Sequence, residues 1–371
     1  MIGLAAAMAL CGADAGRAKG KVIKGLERLL YVTDARGISV YDINDGHKFL
    51  SKIEIPESGA YKGISASVQL GLLHVTSNVK DDLIAIDLQT NKEVWRKKHG
   101  LYPDSQAVTP DGKKLYVPYR DEDSWKVIDA KSGDLLATIP VGRGKNYDDS
   151  PIGSIGPHNT WMHPSGKRVY FEVLTMPYVF ICDTTTNKII GKVGPFSKGV
   201  RPFTVSDNEQ YVYANVDALL GFEVGLAKKP GTGEWGGPMI HRAENKTPAS
   251  RLAQIPNPPK RKPHSTPSHG INLRPDQKEV WVVDGVYGYV YAWDVTQLPP
   301  KPVAEMPLFT EASQQPHPGW VSFSLDGKYA YPDGGVVFDA FTHKPVARIP
   351  TSEKLIEIDF KNGKPVRAGH R

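Results

Sequence analysis

The sequence predicts an all-β protein, a seven-bladed β-propeller with four antiparallel strands in each blade. An aromatic-rich strand pattern recurs seven times along the 371 residues. The 36 glycines and 30 prolines are spread along the chain and favour many turns over long helices. Each repeat spans about 40 to 50 residues and cannot bury both faces of its sheet alone. Radial stacking solves this problem, because each sheet then covers its neighbour.

The repeated strand is rich in Tyr, Val, Trp and Phe, and these residues alternate with smaller or polar ones. This pattern is typical of a strand in a packed sheet. The seven copies are LLYVTD (29–34), LLHVTSN (72–78), KLYVPY (114–119), RVYFEV (168–173), YVYANV (211–216), EVWVVD (279–284) and KYAYPDG (328–334).

A second strand follows each aromatic strand and ends in aspartate in six of the seven repeats. These aspartates are Asp42, Asp87, Asp129, Asp183, Asp294 and Asp339. The fifth repeat departs from the pattern, with GFEV around Glu223. Polar turns such as LQTNKEV come next and predict a hairpin. We expect each aspartate to accept hydrogen bonds from the backbone amides of its own turn.

The segments LLYVTD, LLHVTSN and TPDGKKLYV (109–117) resemble the YVTN repeat, which is named for its Tyr-Val-Thr-Asn strand. The resemblance covers nearly all of the mature chain and implies a bacterial, exported, seven-bladed propeller. It says little about activity, since the family includes surface and periplasmic proteins of several kinds. Its fold resembles the heavy chain of methylamine dehydrogenase, a docking scaffold without its own cofactor. We expect KLIEIDF (354–360) to close the ring against the first blade.

The first residues predict export. Residues 1–15 combine a short apolar run with an Ala13-Asp14-Ala15 cleavage pattern and are interpreted as a signal peptide. Cleavage there leaves Cys182 as the single cysteine and excludes an intramolecular disulfide. We then expect a lead-in over 16–28, the propeller over 29–361 and a tail over 362–371. No later stretch reaches the ~18 apolar residues of a membrane span, so the predicted location is periplasmic or secreted.

Aligning the repeats on the turn before each aromatic strand predicts a shared site. In most blades, the residue six positions before that turn has an ionisable side chain. A purely structural repeat can use small residues at this position. They are Lys62 (by a looser alignment), Asp104, His158, Arg201 and His269, with Gly319 in the last blade and His317 two residues before it. We expect these side chains at one mouth of the channel. His163 belongs to the turn at the far end of its strand and is interpreted as structural.

Long insertions enter the same strands. Residues 141–158 carry Tyr147, residues 257–270 are basic, and residues 310–320 lead to His317 and Trp320. Insertions on one face of a repeat protein usually mark its binding face. The irregular fifth repeat could also fold over the mouth with Arg242 and Trp235.

The preferred chemistry is acid–base catalysis on an anionic ligand derived from carbohydrate. His158 and His269 suit proton transfer near neutral pH, and Arg201 and Lys62 suit a carboxylate. Tyr61 or Tyr147 could also transfer a proton if cations lower the pKa. Catalytic roles are therefore predicted for His158, His269, Arg201 and Tyr61, and ligand-binding roles for Lys62, Asp104, Tyr147, His317, Trp320 and Arg242. By analogy with propeller-type polysaccharide lyases, this inventory suits β-elimination from a uronic acid.

Two alternatives remain open. In the first, His158, His269 and His317 hold a divalent metal (Mn, Zn, Ca or Cu) in a lactonase- or oxidase-like enzyme; Arg201 and Lys62 oppose a cation there. In the second, the propeller has no catalytic role and binds a protein or cell-wall partner. The formal net charge of +6 is moderate and favours anionic partners without indicating nucleic acid. The sequence contains no haem, phosphate-loop or nucleophile-elbow motif.

Overall fold

The computed structural model describes residues 25–144, 155–245, 266–308, 319–350 and 354–369. Within these ranges the chain is all β, with 29 strands and no helix. The strands form seven antiparallel sheets, which follow one another around a ring as the blades of a propeller. The predicted fold class is therefore confirmed.

The first four blades use the first half of the chain. Blade 1 contains β1 (Leu26–Thr33), β2 (Gly37–Asp42) and β3 (Lys48–Glu54). Blade 2 contains β4 (Tyr61–Ser67), β5 (Leu72–Ser77), β6 (Asp82–Asp87) and β7 (Glu93–Lys97). Blade 3 contains β8 (Ala107–Val108), β9 (Lys114–Pro118), β10 (Ser124–Asp129) and β11 (Leu135–Pro140). Blade 4 contains β12 (Pro157–Met162), β13 (Arg168–Val173), β14 (Val179–Asp183) and β15 (Lys188–Val193).

The remaining strands complete the ring. Blade 5 contains β16 (Val200–Val205), β17 (Tyr211–Val216), β18 (Gly221–Leu226) and β19 (Met239–Glu244). Blade 6 contains β20 (Ser268–Leu273), β21 (Glu279–Asp284), β22 (Tyr289–Asp294) and β23 (Lys301–Pro307). Blade 7 contains β24 (Val321–Phe323), β25 (Tyr329–Pro332), β26 (Val336–Asp339) and β27 (Lys344–Arg348). The last two strands, β28 (Leu355–Lys361) and β29 (Lys364–Ala368), return to blade 1.

The two ends of the described chain close the ring in blade 1. Strand β28 pairs with β1, from Leu26 opposite Lys361 to Val32 opposite Leu355, as predicted for the KLIEIDF segment. Strand β28 also contacts β4, the first strand of blade 2, and so takes the place that the first strand has in the other blades. The C-terminal region differs from the expected tail, because β29 adds a fifth strand to this sheet by pairing with β28. A network around Arg28, which contacts Glu357 at 2.7 Å and Asp326 at 2.9 Å, joins blade 1 to blade 7.

The aspartates at the strand ends close the hairpins as the sequence predicts. Asp87 Oδ1 accepts hydrogen bonds from the backbone amides of Gln89 at 3.0 Å and Thr90 at 2.7 Å. The other turns repeat this arrangement at Asp42, Asp129, Asp183, Asp294 and Asp339. These contacts satisfy turn amides that strand pairing leaves open. In blade 5, Leu226 occupies the corresponding register position.

The apolar core lies between the blades. The aromatic strands bury a large ring at the same register position in most blades, and His74 takes this place in blade 2. The rings are Tyr31, Tyr116, Tyr170, Tyr213, Trp281 and Tyr331. Cys182 is buried in the same kind of environment. Burying one such side chain is worth about 1.5–3 kcal/mol, so contacts between neighbouring blades stabilise the whole ring.

Candidate functional site

Backbone pairing places the predicted residues at equivalent positions of the first strands. In five blades, the residue that precedes the predicted site residue pairs with the second strand. Its partner has the same position in the second strand of every one of these blades. These pairs are Tyr61↔Ser77, Pro103↔Tyr119, Pro157↔Val173, Val200↔Val216 and Ser268↔Asp284. In four of these blades a register shift follows the pair at once. We call Lys62, Asp104, His158, Arg201, His269 and Gly319 the rim, and their end of the channel the mouth.

Side chains of the rim approach one another across blades. The rings of His158 in blade 4 and His269 in blade 6 lie 6.5 Å apart between centroids. Arg201 belongs to blade 5, between them, and its charge acts on His158. His269 is oriented through Nδ1, which donates to the carbonyl of Gly319 at 3.0 Å. The structure therefore brings His158, Arg201 and His269 into one cluster.

A buried carboxyl group holds the ring of His158. The Nδ1 atom of His158 lies 2.5 Å from Glu172 Oε1, and Glu172 is completely buried. Asn159 Nδ2 donates to the same Glu172 oxygen at 2.9 Å. A carboxyl group on one imidazole nitrogen fixes the orientation of the ring and directs the other nitrogen elsewhere. Here the other nitrogen, Nε2, faces Asp104 Oδ2 at 3.8 Å.

Asp104 and Arg120 form the second part of the cluster. Asp104 is only 2% exposed, and its Oδ2 lies 3.5 Å from Arg120 Nη1. Its other oxygen accepts from the backbone amide of Ser105 at 2.7 Å. The Arg120 guanidinium also lies 4.8 Å above the ring of Tyr102, which restricts its position. A cation and an anion are thus held side by side next to His158.

Burial favours the uncharged forms of both His158 and Glu172. Burial lowers the pKa of His158 well below its usual value, and Arg120 and Arg201 lower it further. Burial also raises the pKa of Glu172 well above its usual range. Both shifts disfavour charge, because desolvation is expensive for ions. His158 is therefore a neutral imidazole at neutral pH and can accept a proton.

Several polar atoms of this cluster are buried without any hydrogen-bond partner. Acceptors and donors both occur among them: Asp104 Oδ2, Asn159 Oδ1, Glu172 Oε2, Arg120 Nε and Arg201 Nε. A buried polar atom without a partner costs about 1–3 kcal/mol. Five of them in one cluster therefore make this part of the rim a candidate site for polar groups of a ligand.

A second ring of residues lies one position deeper than the rim. The backbone amides of Thr33 and Asp333, at equivalent positions of β1 and blade 7, donate to the carbonyls of Lys354 and Trp320. We call this ring the floor; it comprises Gly63, Ser105, Asn159, Pro202, Gly270, Trp320 and Lys354. The ammonium of Lys354 lies 3.5 Å from the centroid of the Trp320 ring and donates to Ser105 Oγ at 3.2 Å. Lys354 is only 6% exposed.

Tyr61 requires a correction. Its ring packs in the apolar core with Ile53, Ile55 and Ile64. Its hydroxyl forms a hydrogen bond with Ser58, and burial raises its pKa, whereas the acid–base role needs a lowered pKa. The side chain of this residue packs between blades, and only the next residue, Lys62, is part of the rim.

Arg242 also differs from its expectation. It lies on β19, the outermost strand of blade 5, where it pairs with Glu244 at 2.8 Å. Trp235 of the same blade stacks under Arg168 and Lys228 and does not cover the mouth. The insertion around Trp235 therefore packs against the side of blade 4. Tyr147 and His317 lie outside the described residues.

His163 lies at the opposite end of β12 from His158. Its ring contacts Ser165 Oγ at 2.6 Å and the carbonyl of Asp207 at 2.9 Å, which ties one turn to the next blade. This is the structural role expected for it.

Three residues of the cluster were not predicted from the sequence. Glu172, Arg120 and Lys354 lie in or next to strands that repeat analysis treats as structural. One signal could have found Glu172: the same position of the second strand is polar in five blades, at Thr33, Thr76, Glu172, Asn215 and Asp333. A buried glutamate in the apolar strand RVYFEV was the strongest of these signals.

The described residues contain no group of three or more His, Cys, Asp or Glu side chains arranged to hold a metal ion. Arg120, Arg201 and Lys354 all act on His158 and oppose a cation there. His317 lies outside the described part of the chain, so the three-histidine metal site remains a prediction. In the same ranges, no helix is long and apolar enough to cross a membrane.

Comparison with solved structures supports the fold. A protein from Lactobacillus plantarum has a TM-score of 0.68 and 14% identity, with 89% of this chain and 98% of that chain covered. A periplasmic gluconolactonase from Pseudomonas aeruginosa has a TM-score of 0.65 and 14% identity, covering 93% and 99%. Hydrazine synthase from Kuenenia stuttgartiensis has a TM-score of 0.60 and 15% identity, covering 88% and 93%. At such identities the likeness shows the propeller fold alone.

Neither the protein-family models nor the curated protein sequences give a match to this chain. The resemblance to YVTN repeats therefore rests on the strand motifs themselves.

Proposed function

We propose that this propeller binds a sugar acid at its mouth and removes a proton from the carbon next to the carboxylate. The observation that carries the proposal is the convergence of buried donors and acceptors without partners around His158. Arg120 Nε and Arg201 Nε supply donors for a carboxylate. Asp104 Oδ2 and Asn159 Oδ1 supply acceptors for hydroxyl groups. A hydroxylated carboxylate is the ligand class that satisfies both sets.

Arg201 and Arg120 are the residues proposed to hold the carboxylate. A guanidinium binds a carboxylate through parallel hydrogen bonds, and the interaction is stronger where water is excluded. Two cations beside the carboxylate also stabilise the negative charge that develops when the adjacent proton leaves. Lys62 on the rim adds a further positive charge.

His158 is the proposed base. With its Nδ1–H donated to Glu172 Oε1, Nε2 takes the proton from the carbon beside the carboxylate. The electron pair of that C–H bond forms a carbon–carbon double bond, and the bond from the next carbon to its oxygen substituent breaks. The leaving oxygen takes a proton from His269 or from water at the mouth. The products are an unsaturated uronate and a free hydroxyl, as in polysaccharide lyases.

We also propose that the protein is exported and is related to YVTN-repeat propellers. The predicted signal peptide over residues 1–15 supports export, and a periplasmic gluconolactonase shares the fold. Uronate polymers and their fragments are substrates that an exported protein can meet directly.

A test of this function uses purified protein with monomeric, oligomeric and polymeric uronates. The expected result is a new ultraviolet absorbance from the unsaturated product, together with calorimetric binding of the free sugar acid. His158→Gln should abolish product formation, and Arg201→Gln should weaken binding by at least about tenfold, since it removes a charge-assisted contact. The matched controls are His241→Gln and Arg242→Gln, on the outermost strand of blade 5. Equal effects of the site and control variants would refute the assignment.

Two other outcomes would favour the alternatives. Activity toward a sugar lactone that a chelator abolishes would support the metal site of His158, His269 and His317. Absence of binding to every sugar acid, with a defined protein partner that competes at the mouth, would support a scaffold.

A further inference from the structure

Lys354 crosses the channel directly beneath the proposed site. It belongs to blade 1, and its ammonium meets Ser105 of blade 3 and the ring of Trp320 of blade 7. These partners come from blades on both sides of blade 1, so the side chain reaches over the inner end of blade 2. Its charge also acts on His158 of blade 4. One residue thus connects distant parts of the ring.

The floor packs tightly where Lys354 and Trp320 lie. A Cβ atom on Gly270 would approach the Trp320 backbone nitrogen to 2.8 Å, and one on Gly63 would approach Gln106 Oε1 to 1.7 Å. Trp320 is only 5% exposed. Neighbouring blades therefore meet closely at this level, and the bulky Trp320 and Lys354 side chains fill the space that remains.

From this geometry we infer that Lys354 is a specificity-determining residue that closes the floor and limits the site to monomers and chain ends. This inference rests on the proposed function. A ligand that enters the mouth meets the Lys354–Trp320 pair one residue below the rim, and a polymer cannot thread past it. The inserted end can reach Arg201 and His158, while the rest of a longer chain must leave through the same mouth.

In a blind site, which is a site closed at its inner end, affinity depends on ligand length in a distinctive way. Contacts end after the inserted sugar and its first neighbour, so affinity should stop rising at about the disaccharide. An open groove would add contacts with every sugar. A lyase with a blind site also shortens chains from one end and releases products of a single size.

The test measures calorimetric affinity for uronates from one to six sugars and the product lengths early in turnover. For the wild type we expect disaccharide and hexasaccharide affinities within about threefold of each other and one product size. Lys354→Ala removes the side chain that crosses the channel at the floor, so affinity should then rise with chain length by about tenfold or more. Lys354→Met retains the length of the side chain and its apolar contact with Trp320, so it should retain the limit. Lys361→Ala, an exposed position on the same strand β28, is the control.

The outcomes separate the two proposals. Wild-type affinity that climbs steadily to the hexasaccharide, with products of many lengths, would overturn the floor role and leave sugar-acid binding intact. A Lys354→Ala variant that folds like the wild type and keeps the length limit would do the same. Failure of every uronate to bind, monomer included, would overturn the proposed function and the inference with it.

Discussion

His74 should make the fold sensitive to acid. Its ring is completely buried at the position where other blades place a large aromatic ring, and Nε2 lies 2.9 Å from the carbonyl of Ala130. Burial lowers the pKa of His74 to about 4, from an ordinary value of 6.5. Because the pKa is lower in the folded state than in the unfolded state, the protein has its full stability above the pKa of the unfolded state. Stability is then lost as the pH falls toward the pKa of the folded state. A tenfold difference in proton affinity between the folded and unfolded states is worth about 1.4 kcal/mol.

The loss of stability grows as the pH falls. Between about pH 7 and pH 5, His74 alone should cost about 2 kcal/mol of unfolding free energy, and about 3 kcal/mol by pH 4. His47, whose pKa burial also lowers to about 4, adds a loss in the same direction. The wild type should therefore lose more unfolding free energy than His74 alone accounts for.

The variant His74→Gln isolates the part of this loss of unfolding free energy that comes from His74. The glutamine amide can still donate toward the carbonyl of Ala130, but it does not titrate. Urea unfolding followed by tryptophan fluorescence should show a variant that is less stable at neutral pH and whose stability falls less steeply with acid. Between pH 7 and pH 5, the wild type should lose about 2 kcal/mol more unfolding free energy than the variant. His241→Gln, on the partly exposed outer strand β19, is the matched control. Equal losses for wild type and His74→Gln, with unchanged m-values, would refute the reasoning.

Other parts of the molecule give independent predictions. Asp87→Ala should lower the unfolding free energy by about 1 kcal/mol in urea titrations, because the amides of Gln89 and Thr90 lose their acceptor; no loss would contradict the role assigned to the turn. Burial raises the pKa of Glu357 to about 7, so its stabilisation is full below 4.5 and lost as the pH rises through 7; Glu357→Gln should flatten that decline, and an unchanged pH profile would count against it. Glu172→Gln should lower kcat much more than it raises KM and should shift the acid limb of the pH–rate profile, since Glu172 positions His158; a pure KM effect would argue for a binding role instead. Dialysis against a chelator should leave thermal midpoint and ligand affinity unchanged; a fall in either would favour the metal site.

The repeat made the rim predictable. Each rim residue stands at a fixed distance from a turn that the sequence marks clearly, so one alignment placed Asp104, His158, Arg201 and His269 together. The direction of a side chain was harder to predict. Tyr61 and Lys62 are neighbours, but the alternation of the strand sends the first into the core and leaves the second on the rim.

The unpredicted residues depend on contacts between blades. Glu172 reaches His158 because β13 pairs with β12, and a repeat alignment does not show which strand faces which ring. Lys354 reaches Ser105 over 249 residues of chain through the length of its side chain. Arg242 was misplaced because the repeat signal fades after β18, where the insertion around Trp235 turns outward.

The closing strand has a consequence for biogenesis. Arg28 and Glu357 meet across 329 residues of chain, so the ring cannot close until strand β28 has been synthesised. The entropy of such a long loop is not prohibitive, since it grows by only about 0.6 kcal/mol per doubling of length. Lys354 lies at the start of this last strand. A nascent chain that has not yet reached β28 therefore also lacks the contacts that Lys354 makes with Ser105 and Trp320.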